Sequence, residues 1–170
     1  MMRRIIVLPA ALAIALAGGT AGLAAAPDVN DQDRSFLVAV HQGNLAEIQS
    51  GRLVEKQAAG KAVRDAGTTL VDDHTKLDEE VRRVAGEVGV RLPGEPGDTQ
   101  QAGLRKFSAM SGAQLDKAWV AAEITDHKED LAAIAKERTD GASDKVKQLA
   151  RDAEPVVESH LKLLEHIRTG

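Results

Sequence analysis

Three histidines, His74, His127 and His160, each fall inside the apolar stripe of a different predicted helix, and Glu47 lies at the edge of the stripe of a fourth. Neutral imidazole and carboxylate side chains that project inward from facing helices are how helix bundles build metal sites in their cores. Glu47, His74, His127 and His160 therefore form the candidate metal site. Imidazole-rich ligation suits zinc, copper, nickel or iron and does not choose among them. A single core histidine is ordinarily a hydrogen-bonded structural residue. Three at one depth beside a carboxylate fit that role less well, because gathering polar groups in a core costs stability.

Depth follows from counting residues to the predicted turns. Glu47 stands 13 residues before Gly60 and His74 stands 14 after it, so both lie about 20 Å from that turn at a rise of about 1.5 Å per residue. His127 is 14 residues before Gly141 and His160 is 19 after it, which puts them roughly 21 and 28 Å from the second turn. The mismatch is about one helical turn, and a kink at Pro155 could absorb it.

The elements that must carry these residues are four long helices. Asn30 or Asp31 can cap the first, whose interior runs from about Asp33 to Ala59, with Phe36, Leu37, Val40, Ile48, Val54 and Ala58 on its apolar face. The second, from Lys61 to Val88, steps by four and three through Val63, Gly67, Leu70, His74, Leu77, Val81, Val84 and Val88. Two prolines and two glycines in Arg91–Gly97 break the chain there, and a short helix around Thr99–Phe107 follows. Ser111-Gly112-Ala113-Gln114 has capping-box spacing and opens the third long helix, with Val120, Ile124, His127, Leu131 and Ile134 on its stripe. The last runs from about Ser143 to Ile167 and directs Val146, Leu149, Ala153, Val156, His160, Leu164 and Ile167 inward. The scarcity of aromatic residues, only Phe36, Phe107 and Trp119, argues against strands. The fold class expected is all-α.

The remaining charged residues are expected to face solvent. His41 and His166 read as structural or exposed, with His166 in a final turn where a cation suits the helix dipole. Asp73 and Asp126 each precede a core histidine, and neighbouring helix positions point about 100° apart, so both are expected outside the ligand set with a contact behind the ligands left open. Asp78-Glu79-Glu80 with Arg82-Arg83, and Lys128-Glu129-Asp130, read as solvated faces.

Met1-Met2-Arg3-Arg4, the apolar run Ile5–Leu16 and the small residues up to Ala26 have the order of a secretory signal peptide, too short to span a bilayer. Residues 1–24 are expected to be cleaved, leaving a flexible 25–30 segment and one domain over 31–170. The mature chain then has 20 basic and 26 acidic residues, a net charge of −6, which speaks against nucleic acid as a partner. The absence of cysteine excludes disulfides, thiolate metal sites and lipoprotein anchoring. Glycine-rich phosphate loops, Gly-x-Ser-x-Gly and His-Glu-x-x-His are also missing, so hydrolase and nucleotide-binding functions are disfavoured.

Several short elements in order give the chain a family resemblance: Asp33-x-x-Phe36, Gly43-x-x-x-Glu47, Val71-x-Asp73-His74-Thr75, Ser111-Gly112-x-x-x-Asp116, His127 and Pro155-x-x-x-x-His160-Leu161. In these it resembles a widespread family of exported bacterial proteins of unknown function, classed with the ferritin-like four-helix bundles, over nearly all of the mature chain. The resemblance implies a ferritin-like four-helix bundle in which the long connection between helices two and three crosses the bundle. It brings no activity. Where that family commonly has Phe-Asp-x-x-Tyr, this chain has Leu115-Asp116-Lys117-Ala118-Trp119. Di-iron members of the wider fold use Glu-x-x-His, whereas here Val71, Ile124 and Val157 stand three residues before the core histidines, so ferroxidase or oxygenase chemistry is not expected.

Together these features point to an exported periplasmic or extracellular bundle, monomeric or weakly associating and not inserted in a membrane after cleavage. It would bind a divalent transition metal for storage, sensing or buffering. The second expectation is a metal-free structural or interaction domain with an envelope protein partner. An enzyme ranks third, since no base and nucleophile pair can be identified.

Overall fold

Helix boundaries follow the capping chemistry of the chain. The computed structural model describes residues 29–169; the signal peptide expected at 1–24 lies outside the described residues, as do positions 25–28. Every regular element among the described residues is helical: α1 (Asp31–Gln57), α2 (Lys61–Val88), α3 (Asp98–Ser108), α4 (Gly112–Asp140) and α5 (Asp144–Thr169). Asn30 caps α1 reciprocally, its Oδ1 accepting from the Asp33 amide at 2.9 Å while its own amide donates to Asp33 Oδ2 at 2.7 Å. Gly89 ends α2 in the left-handed conformation, at φ 73°. Ser111 occupies the cap position of α4, but the expected box is not formed, and its side chain bonds no amide. The chain instead enters α4 through a left-handed Gly112, at φ 62°, which changes the angle between hydroxyl and first turn. α5 continues through Pro155, one backbone donor short.

The four long helices pack mainly as the hairpins α1–α2 and α4–α5, joined by α1–α4 and α2–α5 contacts. Asp116, near the start of α4, accepts from the amides of Ala59 and Gly60 at 3.0 and 2.7 Å. Lys145, at the start of α5, pairs with Glu87 near the end of α2 at 2.6 Å. The connection from Gly89 to Ser111 contains α3.

Two apolar clusters form the core. Phe36, Leu37, Val81, Val84, Ile134, Val146 and Val157 are among the residues of one, and Val54, Leu70, Leu115, Trp119, Ile124 and Leu164 belong to the other. Between them α1 buries His41, Asn44, Glu47 and Ser50, α2 buries His74, α4 buries Glu123 and His127, and α5 buries His160. A polar layer thus separates two dry halves.

Three packing expectations are corrected here. The α5 stripe runs Ala153, Val157, His160, Leu164, so Val157 rather than Val156 is buried, the step from Ala153 being four residues instead of three. Ile48 is only half-buried, because polar residues occupy the inward positions of mid-α1. Asp78 is buried at 3 % exposure rather than solvated, since it partners His41.

Candidate metal centre

The three histidine rings form a triangle, with centroids 5.7 Å apart for His74–His127, 5.1 Å for His74–His160 and 5.4 Å for His127–His160. Each ring has one nitrogen committed to an outer acceptor. His74 Nδ1 donates to Asn44 Oδ1 at 2.9 Å, His127 Nδ1 to the Glu123 carbonyl at 2.8 Å, and His160 Nε2 to Asp73 Oδ2 at 3.1 Å. A neutral imidazole carries one proton, so the remaining nitrogens, His74 Nε2, His127 Nε2 and His160 Nδ1, are lone pairs. One ring nitrogen of each histidine lies within 4.8 Å of those of the other two, and His127 Nε2 and His160 Nδ1 are 3.3 Å apart.

Glu47 completes the set. Its Oε2 is 2.5 Å from His74 Nε2 and 3.7 Å from His127 Nε2. Neither Glu47 Oε2 nor His74 Nε2 makes a hydrogen bond, although both are fully enclosed. Orphaned buried acceptors that face one another repel unless a proton or cation stands between them. Two donors each about 2.0–2.1 Å from one tetrahedral ion stand roughly 3.3 Å apart. The His127 Nε2–His160 Nδ1 separation is 3.3 Å. The Glu47–His74 contact is tighter than that and must open as an ion enters.

Burial sets the protonation states. It pulls His74 down to about 4, against the opposing charges of Asp130 and Asp73. It also lowers His127 and His160. Glu47 is pushed up to about 7 by burial, His127 opposing and Asp126 adding. The close Glu47–His74 contact is therefore not a carboxylate–imidazolium pair at neutral pH. A bound cation reverses this balance, favouring the carboxylate and keeping the imidazoles neutral.

The structure brings all four sequence-derived residues together, and it adds supports that periodicity did not reveal. Asn44, Ser50 and Glu123 are buried polar residues of the layer. Glu123 Oε1 accepts from the Ser50 hydroxyl at 2.9 Å, and that hydroxyl accepts from Trp119 Nε1 at 3.1 Å. The spacing could have shown them: Asn44 and Glu47 continue the inward steps of α1, and Glu123 stands four residues before His127. Asp73 is the contact behind the ligands that the sequence left open, whereas Asp126 is exposed.

The other two histidines lie apart from this centre. His41 is buried mid-α1, with Nδ1 at 2.6 Å from Asp78 Oδ1 and Nε2 at 2.9 Å from the Pro93 carbonyl, and so ties the long connection to α1. His166 is exposed in the last turn of α5.

Residues 18–167 match the family described as "Domain of unknown function (DUF4142)". The chain belongs to the DUF4142 family. No curated protein matches it. Among solved structures it is similar to the "Crystal structure of DUF305 fragment from Deinococcus radiodurans", with a TM-score of 0.73 and 16 % sequence identity over 84 % of this chain and 99 % of that one. At that identity the likeness is one of fold. Within this DUF4142 chain, the Leu115–Trp119 segment has two structural uses: Asp116 binds the α1–α2 turn, and Trp119 braces Ser50 against Glu123.

Proposed function

We propose that the protein is a ferritin-like four-helix bundle whose long connection crosses the bundle, and that it binds one divalent transition metal at Glu47, His74, His127 and His160. The observation that carries this is the orientation of the imidazoles. Three separate acceptors, Asn44, the Glu123 carbonyl and Asp73, each hold an imidazole so that its unprotonated nitrogen points at the same small volume. Fixing the tautomer of a ligating histidine through its other nitrogen is the usual outer-layer arrangement of metal sites. Three imidazoles and one carboxylate suit zinc, copper, nickel or iron. Storage, sensing or buffering follows more naturally from a fully enclosed four-donor set than catalysis, which needs an open coordination position.

We further propose that the chain is exported through its amino-terminal leader and works in the periplasm or outside the cell, as a monomer or weak oligomer. No helix among the described residues is long and apolar enough to cross a membrane. Retention of Ile5–Leu16 in protein recovered from cells, read by amino-terminal sequencing, would count against export.

Calorimetric titration of chelator-stripped protein with Zn²⁺, Cu²⁺, Ni²⁺ and Fe²⁺ tests the site directly. One ion per chain for at least one of these metals, lost in His74→Ala and His127→Ala, is the expected result; no binding of any of the four by the wild type would overturn it.

A further inference from the structure

Glu123 is a buried carboxylate that the four-ligand set does not use. Its Oε1 is held by Ser50, but its Oε2 makes no hydrogen bond and lies 3.9 Å from His127 Nδ1, and the residue is only 2 % exposed. Ligand atoms of Glu47, Glu123 and His127 lie within 4.8 Å of one another. An unpaired carboxylate oxygen thus stands beside the proposed site without belonging to it.

The same two glutamates line a cleft of about 570 Å³ between α1 and α4, roofed by α3. The cleft exists because small residues face each other across that seam, Gly43 and Ala46 on α1 with Ala118 and Ala122 on α4. Further along the α4 wall come Asp126, Glu129 and Asp130, spaced so that they share a face with Glu123. Lys106 is the single basic residue of the lining. A groove lined by one sign of charge concentrates counter-ions and speeds their capture. α3 buries none of its residues, so this roof is lightly held. The two apolar clusters close the polar layer on both sides along the helix axes.

We propose that a divalent cation reaches the histidines through the cleft beneath α3, and that Glu123 Oε2 is the transfer ligand that passes it from the acidic mouth to Glu47 and His127. This rests on the metal-binding function proposed above. In transit the ion exchanges one water for the Glu123 oxygen and a second for Glu47, and finally exchanges Glu123 and its remaining waters for the three imidazole nitrogens. Each exchange is a ligand substitution without oxidation or reduction. Carboxylates suit the early steps because they accept a partly hydrated ion, whereas the enclosed imidazoles require a stripped one.

Stopped-flow absorbance of Co²⁺ uptake by the chelator-stripped protein tests the route. Glu123→Gln keeps the shape and an acceptor for Ser50 but replaces the carboxyl oxygen Oε2 with an amide nitrogen that cannot coordinate a cation. It should slow association and dissociation together by about tenfold or more, with one ion still bound per chain at saturation. Asp126→Asn with Glu129→Gln, both at exposed positions, should slow association and flatten its dependence on ionic strength. This second variant also serves if Glu123→Gln fails to fold. Wild-type rates in both variants, with Co²⁺ bound at equilibrium, would overturn the route and leave the site standing. No binding by the wild type of Co²⁺ or of Zn²⁺, Cu²⁺, Ni²⁺ and Fe²⁺ would overturn both.

Discussion

His127 Nε2 and His160 Nδ1 face each other at 3.3 Å, and neither has a proton to offer, because the other nitrogen of each ring already donates, to the Glu123 carbonyl and to Asp73. Two lone pairs so placed repel in the absence of a positive charge. The acceptors come from different helices, α4 and α2, and both rings are buried, at 0 and 2 % exposure. A cation between the nitrogens turns that repulsion into coordination.

The first expected consequence is metal-dependent stability. At a free metal concentration of about 100 times Kd, the wild type should gain about 2.7 kcal/mol over its metal-free form. His74→Ala should lose this gain, while His166→Ala, at an exposed position, should keep it. Thermal melts with and without chelator measure the difference. Equal shifts for wild type and His74→Ala would leave His74 as an ordinary core residue.

Asp73 reaches the site through His160, while its other oxygen accepts from Lys76 at 3.0 Å. Asp73→Ala should lower metal affinity by about 10–100-fold, and Asp73→Asn, which retains an acceptor oxygen, should recover much of it. The side chain is 33 % exposed, so helicity by circular dichroism should hardly change. Competition against a chelator gives the affinities, and no recovery by Asn would argue that Asp73 does more than orient the ring.

Much of this was legible in the sequence, and the losses share one cause. The steps through Val63, Leu70, His74, Val81 and Val84 fixed the α2 face, and residue counts from Gly60 and Gly141 put Glu47, His74, His127 and His160 at about the same depth. Asn44, Ser50, Asp78 and Glu123 were not recognised as core, because periodicity scores apolar residues and reads a polar one as facing water. Their burial depends on partners from other helices, such as Asn44 with His74 or Ser50 with Glu123. Spacing puts Asn44 and Ser50 on the inward steps of α1 and Glu123 four residues before His127, but it does not name the partners that satisfy them there. The cleft was equally hidden, since a small residue on one helix opens space only where the facing helix is also small.

The close approach of α1 and α2 at Gly51 and Gly67 sets another expectation. A Cβ built on Gly67 would lie 2.6 Å from Val54 Cγ2 and 2.9 Å from the Gly51 carbonyl oxygen. The backbone oxygen cannot rotate away, so Gly67→Ala must push α1 from α2, at a cost of about 1–3 kcal/mol. Gly86→Ala meets nothing within 4 Å and should instead stabilise the helix by about 0.5–1 kcal/mol. Urea denaturation of the two variants should show shifts of opposite sign.

Glu137 gives a pH dependence away from the metal site. It is fully buried, and burial together with its hydrogen bond to Asp33 raises its carboxyl from 4.5 to about 7. The folded protein thus binds this proton more tightly than the unfolded chain. The stabilisation is complete below pH 4.5 and is lost as pH rises through about 7. Glu137→Gln, neutral at every pH, should therefore gain on the wild type between pH 5 and pH 8. Denaturation midpoints at the two pH values measure it; an unchanged difference would mean that Glu137 is ionised in the folded protein throughout.

His41 holds the long connection in place, and its loss should be felt whether or not metal is present. Both ring nitrogens face acceptors, Asp78 Oδ1 at 2.6 Å and the Pro93 carbonyl at 2.9 Å. His41→Ala leaves the Asp78 carboxylate in the core with only Arg82, at 3.2 Å, to balance it, and frees the Pro93 carbonyl. Removing one partner of a buried pair costs about 3–5 kcal/mol; with Arg82 remaining, about 2–4 kcal/mol is expected. The same change should speed amide exchange in the connection after Gly89, where Pro93 loses its anchor, and leave the exchange of mid-α5 amides in the order set by global stability. Hydrogen exchange with chelator and with metal reads both regions. Protection of the connection equal to wild type would show that Gln42 and Glu95, joined at 3.4 Å, hold it without His41.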